Sequence, residues 1–372
     1  MSNTVMPLLR PRLPDAEALL PYLKQIDQNC YYTNFGPLNS ALLDRLTSFQ
    51  RQRFGRPTYG VTTSSATLAL ELLITDLNLP VGSKILLPSF TFVATASAVL
   101  RCGHVPVVAD VDPQSWMLTP NSLPPTMELD DIAAVMPVTV FGMPQSARTW
   151  ADWREQTGIP VIIDAAGAFG AQPTDSGIPV AISLHATKCL SSGEGGLIFT
   201  EDEDQANRLA QMTNFGIGTT PGLGGTNAKL SEYHAAVGHA DLDAWPDKKK
   251  KRMQLHAFYQ ATLPKVCGHV IGFQQDTGLQ APTTMVVRFN DPLQRDLSEQ
   301  ACANERIQTR RWYQPLIQDH PALVGVQAPY QTPNAHDLAS RLLGIPFHLD
   351  MTQEDVNRVA NVLAGNSLNK AT

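Results

Sequence analysis

The sequence predicts an α/β protein. A large domain with a mostly parallel sheet between helices is followed by a smaller α+β domain. Three observations carry this. Short apolar runs with few charges recur between residues 58 and 200, alternating with stretches of helical spacing. Such runs suit strands buried on both faces, as in a sheet covered by helices. The 372 residues suffice for two domains, and 43% hydrophobic against 17% charged residues describe a folded chain. After "DAWPDKKKKR" (243–252) the texture changes to a strand-like run among helices. This places a boundary near 245, with residues 1–245 as the large domain and its N-terminal arm, and residues 246–372 as the small one.

The elements follow in order. Residues 1–35 are proline-rich, with helical spacing near "DAEALLPYLKQI". "SSATLALELLITDL" (64–77) has the apolar spacing of a helix, "KILLPS" (84–89) reads as a buried strand, and "FVATASAVLRCG" (92–103) as a helix ended by Gly103. "VPVVADV" (105–111), "IAAVMPVTV" (132–140), "PVIIDAA" (160–166), "AISLHAT" (181–187) and "GGLIFT" (195–200) are the remaining strand-like runs of the first domain. In the second, a long helix starts near Pro246, "TTMVVRF" (283–289) is a strand, and "TQEDVNRVANVLAG" (352–365) is a helix. Thr352 caps that helix with Asp355 three places on, and Gly365 lies beyond its end. The "KKKKR" run is expected to be a solvated helix face, since it is short and has no aromatic residue interleaved.

The formal charge is -6, which argues against nucleic acid as a partner but leaves room for an anionic small molecule met by a local cluster of cations. Five scattered cysteines, without a C-x-x-C pair or a secretory leader, point to a reducing cytosol. No apolar run approaches the roughly 18 residues of a membrane span, so no membrane partner is expected.

One lysine stands out. In "SLHATKCLSSGEGGLIFT" (183–200), Lys188 lies between an apolar run and a glycine-rich turn. Upstream, "PVIIDAAGAFGA" (160–171) ends a buried run with Asp164, where a carboxylate needs a cation or strong donor to meet it. Taken alone, a helix N-cap is the plainer account of Asp164. Ends of adjacent strands in an open α/β sheet are where ligands bind. An acid and a lysine at one such edge suit a cofactor with a basic ring nitrogen and an aldehyde. Pyridoxal phosphate has both: its aldehyde bonds to a lysine, and an acidic partner keeps its pyridinium nitrogen protonated. Its phosphate needs a helix N-terminus with hydroxyls, which "VTTSSATLAL" (61–70) offers. Its ring needs an apolar plate, which Phe90 and Phe92 of "PSFTFVAT" (88–95) supply. Each feature alone has an ordinary reading as capping or core; their joint occurrence in this order points to the cofactor.

On these residues the chain resembles the sugar aminotransferases of the DegT/DnrJ/EryC1/StrS group, within the fold type I pyridoxal phosphate enzymes. The resemblance runs from "YYTNFGPL" (31–38) to "SRLLGIPFHLDMTQED" (340–355). It includes "PSFTFVAT", the "DVDP" at 110–113, "PVTVFG" (137–142), "VIIDAAGAFGA", and Ser183 five residues before Lys188 with Gly193-Glu194-Gly195-Gly196 after it. It implies a fold type I aminotransferase that converts a nucleotide-linked keto-sugar to an amino sugar, with glutamate as donor. Lys188 is then the lysine that bonds the cofactor aldehyde and carries protons, and Asp164 the pyridinium partner. Phe92 stacks on the ring, and Ala66, Thr67 and Ser183 hold the phosphate. Asn227 of "GTNAKLSEYHAAVG" (225–238) matches a phosphate ligand that reaches the neighbouring subunit, so a homodimer with shared sites is implied. Thr33, Phe35, Lys229, and Arg310 and Tyr313 of "QTRRWYQPL" (308–316) border the substrate in this reading. His185, beside the lysine, either shapes that pocket or is simply packed.

Two positions depart from the family pattern. Gly167 stands where a Gln usually touches the cofactor ring hydroxyl, which predicts a looser hold or a substitute donor. Ala66-Thr67 replaces a Gly-Thr and keeps the backbone donor. Relatives that dehydrate instead of transaminating carry His at the lysine position, so Lys188 argues against a dehydratase. A non-nucleotide keto-sugar as substrate remains a rival, as does a non-catalytic, cofactor-binding regulator; retention of Lys188 and Asp164 speaks against the regulator. No metal site is expected, since His234 and His239 are five residues apart and do not share a helix face. Cys189 reads as a small buried residue, and "GIGTTPGLGG" (216–225) as a surface loop.

Overall fold

In the computed structural model, which describes residues 5–125, 129–268, 270–275 and 281–365, the apolar runs of the first half form one sheet. Its strands are β1 (Tyr59–Thr63), β2 (Lys84–Pro88), β3 (Val105–Ala109), β4 (Ile132–Val135), β5 (Ile163–Asp164), β6 (Val180–Ser183) and β7 (Gly196–Thr200). β2 pairs in parallel with β3 and β4, and β5 with β6. Parallel bridges from Val135 to Val161 and from Val138 to Asp164 join β4 to β5. The order is therefore β3-β2-β4-β5-β6-β7-β1, and only β7 runs against its neighbours.

Alternation along the strands sends side chains into two separate cores. Leu86, Val107, Ile163, Val180, Ile182, Leu197 and Phe199 face one core, together with α2 (Pro37–Phe54), α5 (Ala147–Thr157) and α7 (Glu232–Asp243). Ile85, Leu87, Val108, Ala134, Ala181 and Ile198 face the other, with α3 (Ala66–Asp76), α4 (Val93–Arg101) and α6 (Glu203–Met212). α1 (Ala16–Asn29) adds Ile26 to the first core. The expected sheet between helices is thus present, buried on both sides. Several helices begin where a short polar side chain accepts an orphan amide: Ser65 from Leu68, Ser146 from Thr149, Asp202 from Gln205 and Ser231 from His234.

Beyond α8 (Trp245–Val266), three antiparallel strands lie in the order β8 (Val270–Phe273), β9 (Val286–Phe289), β10 (Leu342–Gly344). α9 (Pro292–Asn304), α10 (Pro333–Arg341) and α11 (Gln353–Leu363) accompany them. Leu255, Tyr259, Val287, Phe289, Cys302, Leu343, Val356 and Val359 form a third core, which the N-terminal arm joins through Met6. The arm is held there by Met6 N–H to Arg306 O and Gln308 N–H to Met6 O, at 2.9 and 3.0 Å. Thr352 and Asp355 form the reciprocal cap expected on α11.

The basic run is not a solvated face throughout. Lys250 and Lys251 are exposed, but Lys248 and Arg252 turn inward. Lys248 pairs with the fully buried Asp241, and Arg252 donates to the carbonyls of Pro282 and Thr283 at 2.5 and 3.1 Å. Positions four apart share one helix face, so a run of like charges must place some of them against the protein.

Candidate active site

Asp164 ends β5 and is 4% exposed. It shares side-chain parity with Ile162, so it faces the layer that holds α4. Thr95, in the first turn of α4, donates its hydroxyl to Asp164 Oδ2 at 2.8 Å, and the Ala166 amide donates to Oδ1 at 3.1 Å. Thr91 lies 3.1 Å from the Thr95 hydroxyl, oxygen to oxygen. Burial raises the carboxyl pKa above its ordinary value, while Thr95, Ala166 and the charge of Lys188 act in the opposite direction.

Lys188 follows β6 in a loop closed on itself by Ala186 N–H to Gly193 O at 2.8 Å and Ser192 N–H to Leu184 O at 2.8 Å. Gly193 has φ +81, which a side chain rarely adopts. Buried Asp241 clamps the loop by accepting the Ser191 amide at 2.9 Å. Lys188 is half-buried, and among the described residues no hydrogen bond engages its Nζ. Burial lowers its pKa, with Asp164 pulling the other way.

A row of residues brings Ser183 to the start of α3. Ser183 of β6 is registered with Gly196 of β7, which is registered with Thr63 of β1. A Cβ on Gly196 would lie 2.3 Å from Thr63 Oγ1 and 2.4 Å from Ser65 O, so only glycine lets β7 pass the turn before α3. The α-helical pattern leaves the amides of Ala66 and Thr67 without partners inside the helix. Ser65 is spent on its own cap, and Ser183 Oγ accepts from His185 N–H at 3.2 Å.

The aromatic wall differs from expectation. Phe92 immediately precedes α4 and is 50% exposed, so its ring has an open face. Phe90 is fully buried and belongs to the core; it is not a plate. Tyr313 stacks on Phe141 with centroids 5.4 Å apart and meets Phe90 edge-on at 5.1 Å. Its hydroxyl is pushed well above the ordinary tyrosine value by burial first and by the charge of Asp164 second. Arg310 lies 4.2 Å over the Trp312 ring.

Of the other substrate candidates, His185 adjoins Lys188, whose amide donates to the His185 carbonyl at 2.9 Å. Thr33 and Phe35 lie in an exposed loop tied to α7 by Glu232 N–H to Tyr32 O at 3.0 Å. Asn227 is exposed, next to Ala228, whose carbonyl accepts the Ser64 amide at 2.7 Å. Lys229 donates to Asn214 Oδ1 at 2.8 Å and sits over the Phe215 ring. His185 Nδ1 is 2.9 Å from Thr187 Oγ1 and its Nε2 is 3.6 Å from Glu194. Gly167 is pinched against Gly142. A Cβ there would lie 3.2 Å from Gly142 Cα and N, and Thr283 Oγ1 donates to Gly167 O at 2.6 Å. Cys189 is buried.

Sequence reasoning missed Thr95 and Asp241. Thr95 lies three residues after Phe92, a spacing that puts both at one end of α4. Asp241 gave no local signal, because its partners are 50 residues upstream and seven downstream.

These residues suit pyridoxal phosphate. A buried, donor-held acid ends β5 and a lysine of lowered basicity lies in the loop after the neighbouring β6, with the N-terminus of α3 and the half-exposed Phe92 at the start of α4. The comparisons agree. The profile of the DegT/DnrJ/EryC1/StrS aminotransferase family matches residues 15–364. The dTDP-4-amino-4,6-dideoxy-D-glucose transaminase of Shigella dysenteriae is 29% identical over 363 residues, covering 95% of this chain and 97% of that one. A Bacillus cereus ATCC 10987 structure assigned to the PLP-dependent aminotransferases superposes with a TM-score of 0.88 at 27% identity, covering 97% of this chain and 100% of that one. DesI, solved in the presence of its TDP-sugar product, gives a TM-score of 0.83 at 28% identity, with 99% and 95% covered. Among the described residues, no helix is long and apolar enough to cross a membrane.

Proposed function

The chain belongs to the DegT/DnrJ/EryC1/StrS aminotransferase family, and on that premise we propose that it moves an amino group from glutamate to the ketone of a nucleotide-linked sugar. The observation that carries the reading is a buried Asp164 at the end of β5, held by Thr95 and within reach of the charge of Lys188, which lies in the loop after the neighbouring β6. Pyridoxal phosphate, when bound, supplies the electron sink for this chemistry. Asp164 keeps a proton on the ring nitrogen. Ala66 and Thr67 offer backbone amides, and Ser183 a hydroxyl, to the phosphate. Phe92 would offer its open face to the ring, and Tyr313, 6.5 Å from Phe92 and stacked on Phe141, backs the wall beside it. Lys188 is the residue that would hold the cofactor aldehyde, and its free amine would take the proton from the donor's α-carbon. Its lowered pKa favours the neutral amine that this step needs.

The names of the Shigella relative and of the DesI structure support a dTDP-linked 4-keto-deoxyhexose as the first substrate to try. A homodimer with shared sites belongs to the same reading. Tyr31, Tyr32, Phe35, Phe215 and Tyr233 are exposed around the start of α7 and the Asn227 segment, and burying such rings is what a partner surface does. The reading also includes a cytoplasmic enzyme whose chain divides near residue 245. The test is to load the protein with pyridoxamine phosphate and offer dTDP- and UDP-linked keto-sugars. Return of the pyridoxal absorbance with one of them is expected. Reaction only with free keto-sugars would overturn the nucleotide assignment.

A further inference from the structure

Ser191 closes the loop that carries Lys188. Its hydroxyl donates to Leu184 O at 3.2 Å and accepts the Gly193 amide at 2.9 Å, while its own amide donates to Asp241 Oδ2 at 2.9 Å. Ser191 is 2% exposed and Asp241 0%, so water has little access to replace these partners. Lys188 sits on the short stretch between the fixed Leu184 and Ser191, and there its charge is felt by Asp164. Asp241 lies on α7, and its other oxygen meets the ammonium of Lys248 on α8. Lys248 also donates to Arg12 O of the N-terminal arm at 3.0 Å. Burial pushes the Asp241 carboxyl up, and Lys248 and the Ser191 amide act against it. A buried ion pair is a poor source of stability, and apolar groups of similar volume often serve as well. What an apolar pair could not supply is an acceptor for the Ser191 amide, which has no other among the described residues.

We propose that Asp241 is a positioning residue for the transamination: its carboxylate fixes the Ser191 amide and, through it, the placement of Lys188. Lys248 serves to let that carboxylate be buried. The two roles are separable, because the amide needs only an oxygen to accept from, whereas the charge needs its partner. The inference rests on the aminotransferase reading, since a small misplacement of the amine matters only where that amine must reach a reacting carbon.

Two double variants separate the acceptor from the charge. Asp241→Asn with Lys248→Met leaves a neutral oxygen for the Ser191 amide. Asp241→Leu with Lys248→Met leaves none, and neither variant leaves a charge buried alone. Each is loaded with pyridoxal phosphate and followed by absorbance. Glutamate should bleach the asparagine variant within a few-fold of the rate in the unaltered protein. The leucine variant should melt close to the unaltered protein but bleach at least about tenfold more slowly. The pH at which its absorbance changes without glutamate should also move, which a loosened fold elsewhere would not cause. A leucine variant with an unchanged rate and pH midpoint overturns the proposal, and so does an asparagine variant as slow as the leucine one. Should the leucine variant not fold, Asp241→Asn alone decides. Lys248 then competes with the Ser191 amide for the single oxygen, so adding Lys248→Met should speed bleaching, and no gain overturns the proposal. If glutamate fails to bleach the unaltered loaded protein, the aminotransferase reading falls; if it succeeds and the variants do not differ, only the role of Asp241 falls.

Discussion

Removing one hydroxyl, in Thr95→Val, should detach the cofactor more readily, and the structure sets the size of the effect. Thr95 donates to Asp164 at 2.8 Å, and the acid is 4% exposed, so water has little access to replace the lost donor. A hydrogen bond to a charged group contributes about 1.5–3 kcal/mol, and one between neutral groups about 0.5–1.5 kcal/mol. If the cofactor requires the ionised acid, only the difference counts, about 1–1.5 kcal/mol, or roughly five- to tenfold in affinity. The variant also has a pH signature. Burial raises the pKa of Asp164 and Thr95 holds it down. Cofactor affinity should fall as pH drops through that pKa, and Thr95→Val should move the fall to higher pH. Fluorescence titration of the apoprotein with pyridoxal phosphate across a series of pH values measures both. Thr95→Ser should behave like the parent. An unchanged affinity and pH profile in the valine variant would refute the argument that this bond favours the ionised form of Asp164.

Other consequences can be checked with simple variants. Because the folded protein holds the Asp164 proton where the unfolded chain has lost it, ionised Asp164 destabilises the apoprotein above 3.8, its ordinary value. Asp164→Asn should therefore melt higher at neutral pH while losing cofactor. Lys188 has the opposite sign: its folded pKa is lowered, so stability rises with pH up to 10.5, and Lys188→Met should stabilise the apoprotein most at low pH, with the gain vanishing near 10.5. Borohydride should tag Lys188 in the loaded protein, and a tag on another lysine would displace the assignment. Glu232, 1% exposed, accepts the Leu38 and Asn39 amides at 2.8 Å each and so caps α2, whose own Gly36 has no side chain to do it. Glu232→Ala should cost about 3 kcal/mol in unfolding free energy, and Glu232→Gln less, measured in denaturant. Gly167→Ala should cost about 1–3 kcal/mol, since its Cβ would press on the Gly142 backbone. Mixing Lys188→Ala with Asn227→Ala subunits should restore about a quarter of the activity if sites are shared across a two-fold dimer, and none if they are not.

The sheet was legible because its information is local. Strands buried on both faces must be apolar at every position, so Leu86 and Leu87 announce themselves although they point into opposite cores. The lysine and the acid were legible for a related reason: a charge at the end of an apolar run breaks a pattern. What stayed hidden depends on distance along the chain. α2 starts at Pro37 after a Gly36 that has no side chain to cap it, and the capping carboxylate comes from Glu232, 194 positions away from Leu38. Phe90 and Phe92 look alike in sequence, yet Phe90 is fully buried and Phe92, the residue just before α4, is half-exposed. Lys248 reads as one of four equivalent lysines until the buried Asp241 selects it by helical phase. The same holds for Gly167. Its sequence context suggests a missing contact, while the structure adds a reason for the missing side chain: two backbone segments pass within van der Waals contact at Gly142, and a Cβ at 167 would have to displace one of them. A Gln side chain there should therefore meet the Gly142 backbone first, and Gly167→Gln should lower the melting temperature before it can help the cofactor.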